Sequence, residues 1–232
     1  MSNGCVNLAI ISCSSNKSAV TALLDEWVQE TDRTESAKRQ NPVVARRFLV
    51  GRSLVRALVD RTTGSNGRQC QITTDSNGKP FVTLADRNPG PAISISNSGD
   101  LVAAAATGLG ALGIDVEHQR QHRSFNRIAS FAFGPREVHA AGKSPRDFYK
   151  IWCLREAMSK ASGMGLAEAA DGVDRVQGTP DDDVWQMVDG KHVWLCAHFA
   201  LPEDYSLAVA VLRPASADAL EWTEKSLDLR WL

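Results

Sequence analysis

Apolar and polar positions along the 232-residue chain recur at two periods, near 2 and near 3.6 residues, and the switches between them mark the elements. Residues 6–12 (V-N-L-A-I-I-S) predict a first strand, and 19–29 an amphipathic helix. Residues 31–40 are polar and predict a loop. The pattern over 43–59 predicts a helix: Val44, Phe48, Val55, Leu58 and Val59 recur near a helical period, and Pro42 suits its start. Residues 61–67 predict a turn. Short strands follow at 70–74 and 81–84, joined by the tight turn Asn77-Gly78-Lys79-Pro80. Pro89-Gly90-Pro91 then breaks the chain.

Residues 92–96 alternate (A-I-S-I-S) as a half-buried strand, 97–100 turn, and 101–106 form a strand of small residues. A further strand ends at Asp115. Residues 118–123 are polar. His118 and His122 lack a third metal ligand and read as exposed. Helices are predicted over 124–133, with Ser124 as N-cap, over 134–142, and from Pro145 to 162, where Gly163 stops the last. Residues 171–183 read as loop, 184–188 and 192–199 as a hairpin, 205–212 as a strand, and 217–232 as a helix or tail. The order helix, short strands, small-residue hairpin occurs twice. It predicts an α+β fold of two similar α/β subdomains, 1–112 and 113–232, related by a pseudo-twofold with the active site in the cleft between them.

Composition narrows the function classes. Hydrophobic content of 43% and charge of 23% suit a globular chain, and a net charge of −1 gives no general pull toward nucleic acid or membrane. Five widely spaced cysteines without a C-x-x-C argue against a zinc ribbon or redox motif and for reduced, cytoplasmic thiols. No apolar run approaches a membrane span and no signal-peptide pattern opens the chain.

The candidate chemistry lies in two stretches. In Gly113-Ile114-Asp115-Val116-Glu117 a strand would point both carboxylates to one face. In Trp152-Cys153-Leu154-Arg155-Glu156-Ala157-Met158-Ser159-Lys160 a helix would align Glu156 with Lys160. Three hard oxygen donors beside a fixed cation suit Mg²⁺ and a phosphate-bearing substrate. Each stretch alone is equally a solvated edge or a surface ion pair. Arg46, Arg47, Arg52 and Arg56 on the long helix read first as a solvated basic face, with phosphate binding as the alternative. Nothing in the chain resembles a nucleic-acid-binding module.

These two stretches resemble the signature of the 4′-phosphopantetheinyl transferases of the surfactin-synthetase-activating type: G-[IV]-D-[IV]-E, about forty residues, then W-x-x-K-E-[AS]-x-x-K. Asn77 to Pro80, Ile95 to Gly99, and Gly163-Met164-Gly165-Leu166 resemble that family's G-K-P, S-H-S-G and G-x-G-L segments, so the resemblance covers roughly residues 42–213. It implies a monomeric, cytoplasmic enzyme. That enzyme would move the phosphopantetheine arm of coenzyme A onto a serine of an apo acyl or peptidyl carrier protein and release 3′,5′-ADP. The resemblance implies that Asp115, Glu117 and Glu156 hold Mg²⁺ or Mn²⁺, and that Lys160 contacts a phosphate. It further implies that Lys79 and Ser96 line the nucleotide. Arg46, Arg47, Arg52, Asn97 and the preceding Lys38-Arg39 would face its 3′-phosphate side, and Glu156 would accept the serine proton. The segment around 124–143, with Phe125, Phe131 and Phe133, would dock the carrier. Asn97 replaces the family histidine and Arg155 the usual lysine. These departures motivate an alternative: a catalytically impaired member that binds coenzyme A or a carrier without turnover.

Overall fold

The structure, a computed structural model, describes residues 5–64, 67–85, 90–120, 125–142, 144–163, 173–176, 184–189, 192–212 and 227–231. The fold is α+β. The chain divides into two compact units, 1–110 with 221–232, and 111–220.

In the first unit, β1 (Val6–Ser12), β4 (Ala92–Ser98), β5 (Leu101–Thr107) and β11 (Leu227–Trp231) form a sheet ordered β11-β1-β5-β4. β11 runs parallel to β1, whereas the other pairs are antiparallel. The sequence expectation had placed the tail with the second half as a helix or docking segment. α3 (Pro42–Thr63) starts at Asn41, whose side chain accepts from the amides of Val43 and Val44, and it ends at Gly64 in the left-handed region. Its buried Val50, Leu54, Val55, Leu58 and Val59 join Val102, Ala104 and Ala106 of β5 in one core. The run Ala103 to Ala106 keeps that face of β5 shallow, so the helix lies close. α1 (Lys17–Trp27) packs on α3 through Val20 and Leu23.

Residues 31–40, expected as loop, carry α2 (Glu30–Ala37) instead. Its apolar content is too low to announce it. What holds it is polar: a capping box between Gln29 and Asp32, and the Arg56 guanidinium, which bonds Asp32 at 2.5 Å and Gln29 Oε1 at 2.9 Å. Arg56 is 1% exposed and Arg52 8%, so the expected solvated basic face is buried at these two positions. Arg52 donates from Nη1 to the Ile72 carbonyl at 2.8 Å. β2 (Gln71–Thr74) and β3 (Pro80–Thr83) form a small hairpin. In its turn Asp75 accepts from the amides of Asn77 and Lys79, and Gly78 takes φ +81°.

In the second unit, five antiparallel strands lie in the order β6 (Leu112–His118), β10 (Tyr205–Leu212), β9 (His192–Leu201), β8 (Val184–Asp189) and β7 (Val173–Val176). β7 falls inside the stretch expected as loop, where its pairing with β8 outweighs weak local propensity. α6 (Pro145–Ser162) crosses β6, β10 and β9. It is capped by Ser144, which accepts from the Asp147 amide, and closed by Gly163. α4 (Phe125–Ala132) and α5 (Pro135–Ala141) cover its first turns through Phe125, Phe133, Phe148, Tyr149 and Trp152. Phe133 is therefore core and Phe125 partly buried; of the three phenylalanines expected at a docking surface, Phe131 is exposed, at 88%. His118, expected as exposed, is half-buried with its ring centroid 4.6 Å from that of Tyr205. His122, Ser124, Lys143, Pro89 and residues 164–166 lie outside the described residues.

Candidate active site

Period two places Gly113, Asp115 and Glu117 on the face of β6 that meets α6, while Ile114 and Val116 enter the opposite side. Gly113 sets how closely the two elements approach. A Cβ there would lie 1.9 Å from the Ala157 carbonyl oxygen and 2.6 Å from the Ala161 amide nitrogen. Only a residue without a side chain permits this contact, and it brings the carboxylates of β6 up to the helix face carrying Cys153, Glu156, Ala157 and Lys160.

On that face Lys160 Nζ lies 2.7 Å from Asp115 Oδ1. Asp115 is 4% exposed, and the Lys160 side chain 34%. Burial pushes the Glu156 carboxyl above its ordinary range. The charge of Asp115 adds to the rise, Lys160 opposes it, and Glu117 raises it further. Three carboxylates are thus near enough to work against one another around one ammonium. Cys153, fully buried, places its sulfur 3.6 Å from the Ser206 carbonyl oxygen. Burial, then the charges of Asp115 and Glu117, and a hydrogen bond to the Asp115 carboxylate hold this thiol well above its ordinary range. It is a protonated donor.

As they stand, no three His, Cys, Asp or Glu side chains among the described residues are arranged to hold one metal ion. The donors nevertheless suit a hard divalent cation. They are carboxylate oxygens, and the mutual repulsion that lifts Glu156 is what such an ion relieves.

The other expected site residues lie in the first unit. Ser96 is buried near the end of β4 and Asn97, next to it, is exposed. Lys79 is half-buried; burial lowers its ammonium pKa while Asp75 raises it. Arg46 is exposed, and Arg47 donates to the Gly99 carbonyl. Arg52 lines a cavity of about 660 Å³ bounded by Glu30, Thr31, Thr34, Glu35, Arg39, Phe48, Ile72, Thr73 and Thr74. There the Phe48 ring meets two guanidiniums, Arg39 at 3.6 Å and Arg52 at 5.0 Å from its centroid. The structure thus separates the three arginines singled out on α3, since Arg52 lines this cavity while Arg46 and Arg47 are absent from its lining. Arg155 is 1% exposed and bonds Glu137 of α5 through Nε at 2.9 Å and through Nη2. Its charge is neutralised inside the fold, which ties α5 to α6. Arg155 and Cys153 sit within the motif but fell outside the expected site, because sequence spacing gives no view of their partners.

Comparison with known proteins agrees with these motifs. A family model described as 4′-phosphopantetheinyl transferase superfamily matches residues 111–210, and one described as 4′-phosphopantetheinyl transferase, N-terminal, matches residues 16–109. Among curated relatives, the 4′-phosphopantetheinyl transferase HetI of Nostoc sp. is 29% identical over 132 residues, 55% of this chain and 56% of the relative. A putative 4′-phosphopantetheinyl transferase of Haemophilus influenzae is 33% identical over 85 residues, 34% and 36% of the two chains. A putative 4′-phosphopantetheinyl transferase of Synechocystis sp. is 27% identical over 133 residues, 55% and 54%. The chain thus spans about half, or less, of the curated relatives it matches. With one family model over each half and the acidic motif inside the second, the chain belongs to the 4′-phosphopantetheinyl transferase superfamily.

Proposed function

We propose that the chain acts in the manner of the surfactin-synthetase-activating type. It transfers the 4′-phosphopantetheine moiety of coenzyme A to a serine of an apo acyl or peptidyl carrier protein. The observation that carries this reading is the group Asp115, Glu117, Glu156 and Lys160, held between β6 and α6 within the region matched by the superfamily model. The serine oxygen bonds to the phosphorus that carries the pantetheine arm. The bond from that phosphorus to the bridging oxygen breaks, and 3′,5′-ADP leaves. Glu156, with its carboxyl lifted toward neutrality, takes the serine proton. Lys160 meets phosphate charge. Asp115, Glu117 and Glu156 are the side chains that would hold Mg²⁺, which supplies charge neutralisation on the pyrophosphate. In the first unit Lys79 and Ser96 line the nucleotide, and the guanidiniums of Arg39 and Arg52 offer planar donors to its 3′-phosphate. In this reading the enzyme is a cytoplasmic monomer, a state that light scattering checks.

The test is incubation of the purified protein with coenzyme A, Mg²⁺ and several apo carriers, followed by mass spectrometry of the carriers. Phosphopantetheine should appear on the carrier serine. Asp115→Ala and Glu156→Ala should each abolish transfer while leaving the fold intact. Failure with every carrier, or near-full activity in either variant, overturns the assignment. Calorimetric binding of coenzyme A without product would favour the impaired-member alternative.

A further inference from the structure

Asp115 meets α6 on two sides. Lys160 approaches Oδ1 from the half-exposed end of the helix face. Cys153 approaches from the fully buried end, one turn before Glu156. Two acceptors meet its sulfur, the Ser206 carbonyl oxygen at 3.6 Å and the Asp115 carboxylate. Of the two, the anionic carboxylate is the stronger acceptor for the single thiol proton. Ser206 and Ala208 stand opposite Glu117 and Asp115 in the register of β10 on β6, so strand and helix fix this donor together. The ordinary roles of a buried cysteine do not require this placement: its small apolar volume could be filled by alanine or valine.

We propose that Cys153 is a positioning residue whose S–H orients the Asp115 carboxylate for the divalent cation, with Lys160 holding the opposite end of the same group. The proposal rests on the reading of Asp115 as a cation ligand. It goes beyond that reading in assigning the orienting role to a side chain that would not itself touch metal, coenzyme A or carrier. Partners that orient metal-binding carboxylates set affinity nearly as strongly as the ligands do. A hydroxyl at this position keeps the donor; alanine and valine remove it.

Two measurements test this. The first is infrared spectroscopy of the S–H stretch, taken as the difference between wild type and Cys153→Ser. The band lost in that difference should move to higher wavenumber when the same comparison is made in an Asp115→Asn background. A band at the same position in both backgrounds overturns the contact. The second is Mn²⁺ titration at saturating coenzyme A, followed by electron paramagnetic resonance, with thermal melts confirming that each variant is folded. Cys153→Ala and Cys153→Val should weaken Mn²⁺ by about 10- to 100-fold, and Cys153→Ser should restore it. If wild type binds Mn²⁺, Asp115→Asn loses it, and Cys153→Ala and Cys153→Val match wild type, the positioning role is wrong and the ligand reading stands. If wild type and Asp115→Asn bind alike, the ligand reading fails and takes this proposal with it.

Discussion

Replacing Gly113 by alanine sets a methyl group against the backbone of α6. The added Cβ would lie 1.9 Å from the Ala157 oxygen, where ordinary contact begins at 3.4 Å, so strand and helix must part by as much as 1.5 Å. The obstacle is a carbonyl oxygen and an amide nitrogen, so no trimming of a side chain on α6 relieves it. Overpacking of this kind costs about 2 kcal/mol, and more when backbone must yield, lowering Tm by roughly 4–8 °C for a chain of this size. The same displacement carries Asp115 and Glu117 away from Glu156 and Lys160. A misplacement of about 1 Å lowers a rate by roughly 100-fold. Gly108→Ala is the control: nothing lies within 4 Å of its added Cβ, and its stability should stay within about 0.5 kcal/mol of wild type. Calorimetry and the carrier-labelling assay measure both effects. If Gly113→Ala melts and turns over like Gly108→Ala, the close approach of β6 to α6 does not organise the carboxylates.

Three further outcomes follow from buried charges. Arg155→Ala strands Glu137, whose side chain is 22% exposed, and should cost about 3 kcal/mol by urea unfolding, with Arg155→Lys recovering part of it. Arg56→Ala leaves Asp32 buried and alone at the end of α2; a loss of about 3–5 kcal/mol is expected, together with faster hydrogen exchange over residues 30–37. His198 is 3% exposed, and its Nε2 has no hydrogen-bond partner among the described residues. Burial, with Lys150 and Arg146 nearby, pushes its pKa from 6.5 down to about 4. The unfolded chain therefore takes the proton first: stability is complete above 6.5 and falls as the pH drops from there toward 4. Between about pH 7.5 and 5 the loss should be roughly 2 kcal/mol. Urea titrations of His198→Gln should lack that component, and an unchanged pH dependence would refute it.

The parts of the candidate site legible in the sequence are those set by local periodicity. Asp115 and Glu117 share a face because a strand repeats every two residues, and Glu156 and Lys160 because a helix repeats near four. The long helices announced themselves through apolar spacing and capping residues such as Asn41 and Ser144. What could not be read depends on partners far along the chain. α2 is polar throughout, and its anchor is an arginine 24 residues away. Arg52, Arg56 and Arg155 counted as solvent-facing charge until each met an acceptor in the fold. Cys153 resembled any small buried residue, because nothing in W-C-L-R-E reports where Ser206 and Asp115 come to lie.

The pairing of Val6 with Leu227 has a consequence for biosynthesis. The first strand to leave the ribosome must wait for nearly the last, with the whole of 111–220 made in between. Until then one edge of β1 offers unmatched amides and carbonyls to any neighbouring chain. A version ending at residue 220 would keep that exposed border permanently, and its self-association should rise with concentration while the interior unit folds normally.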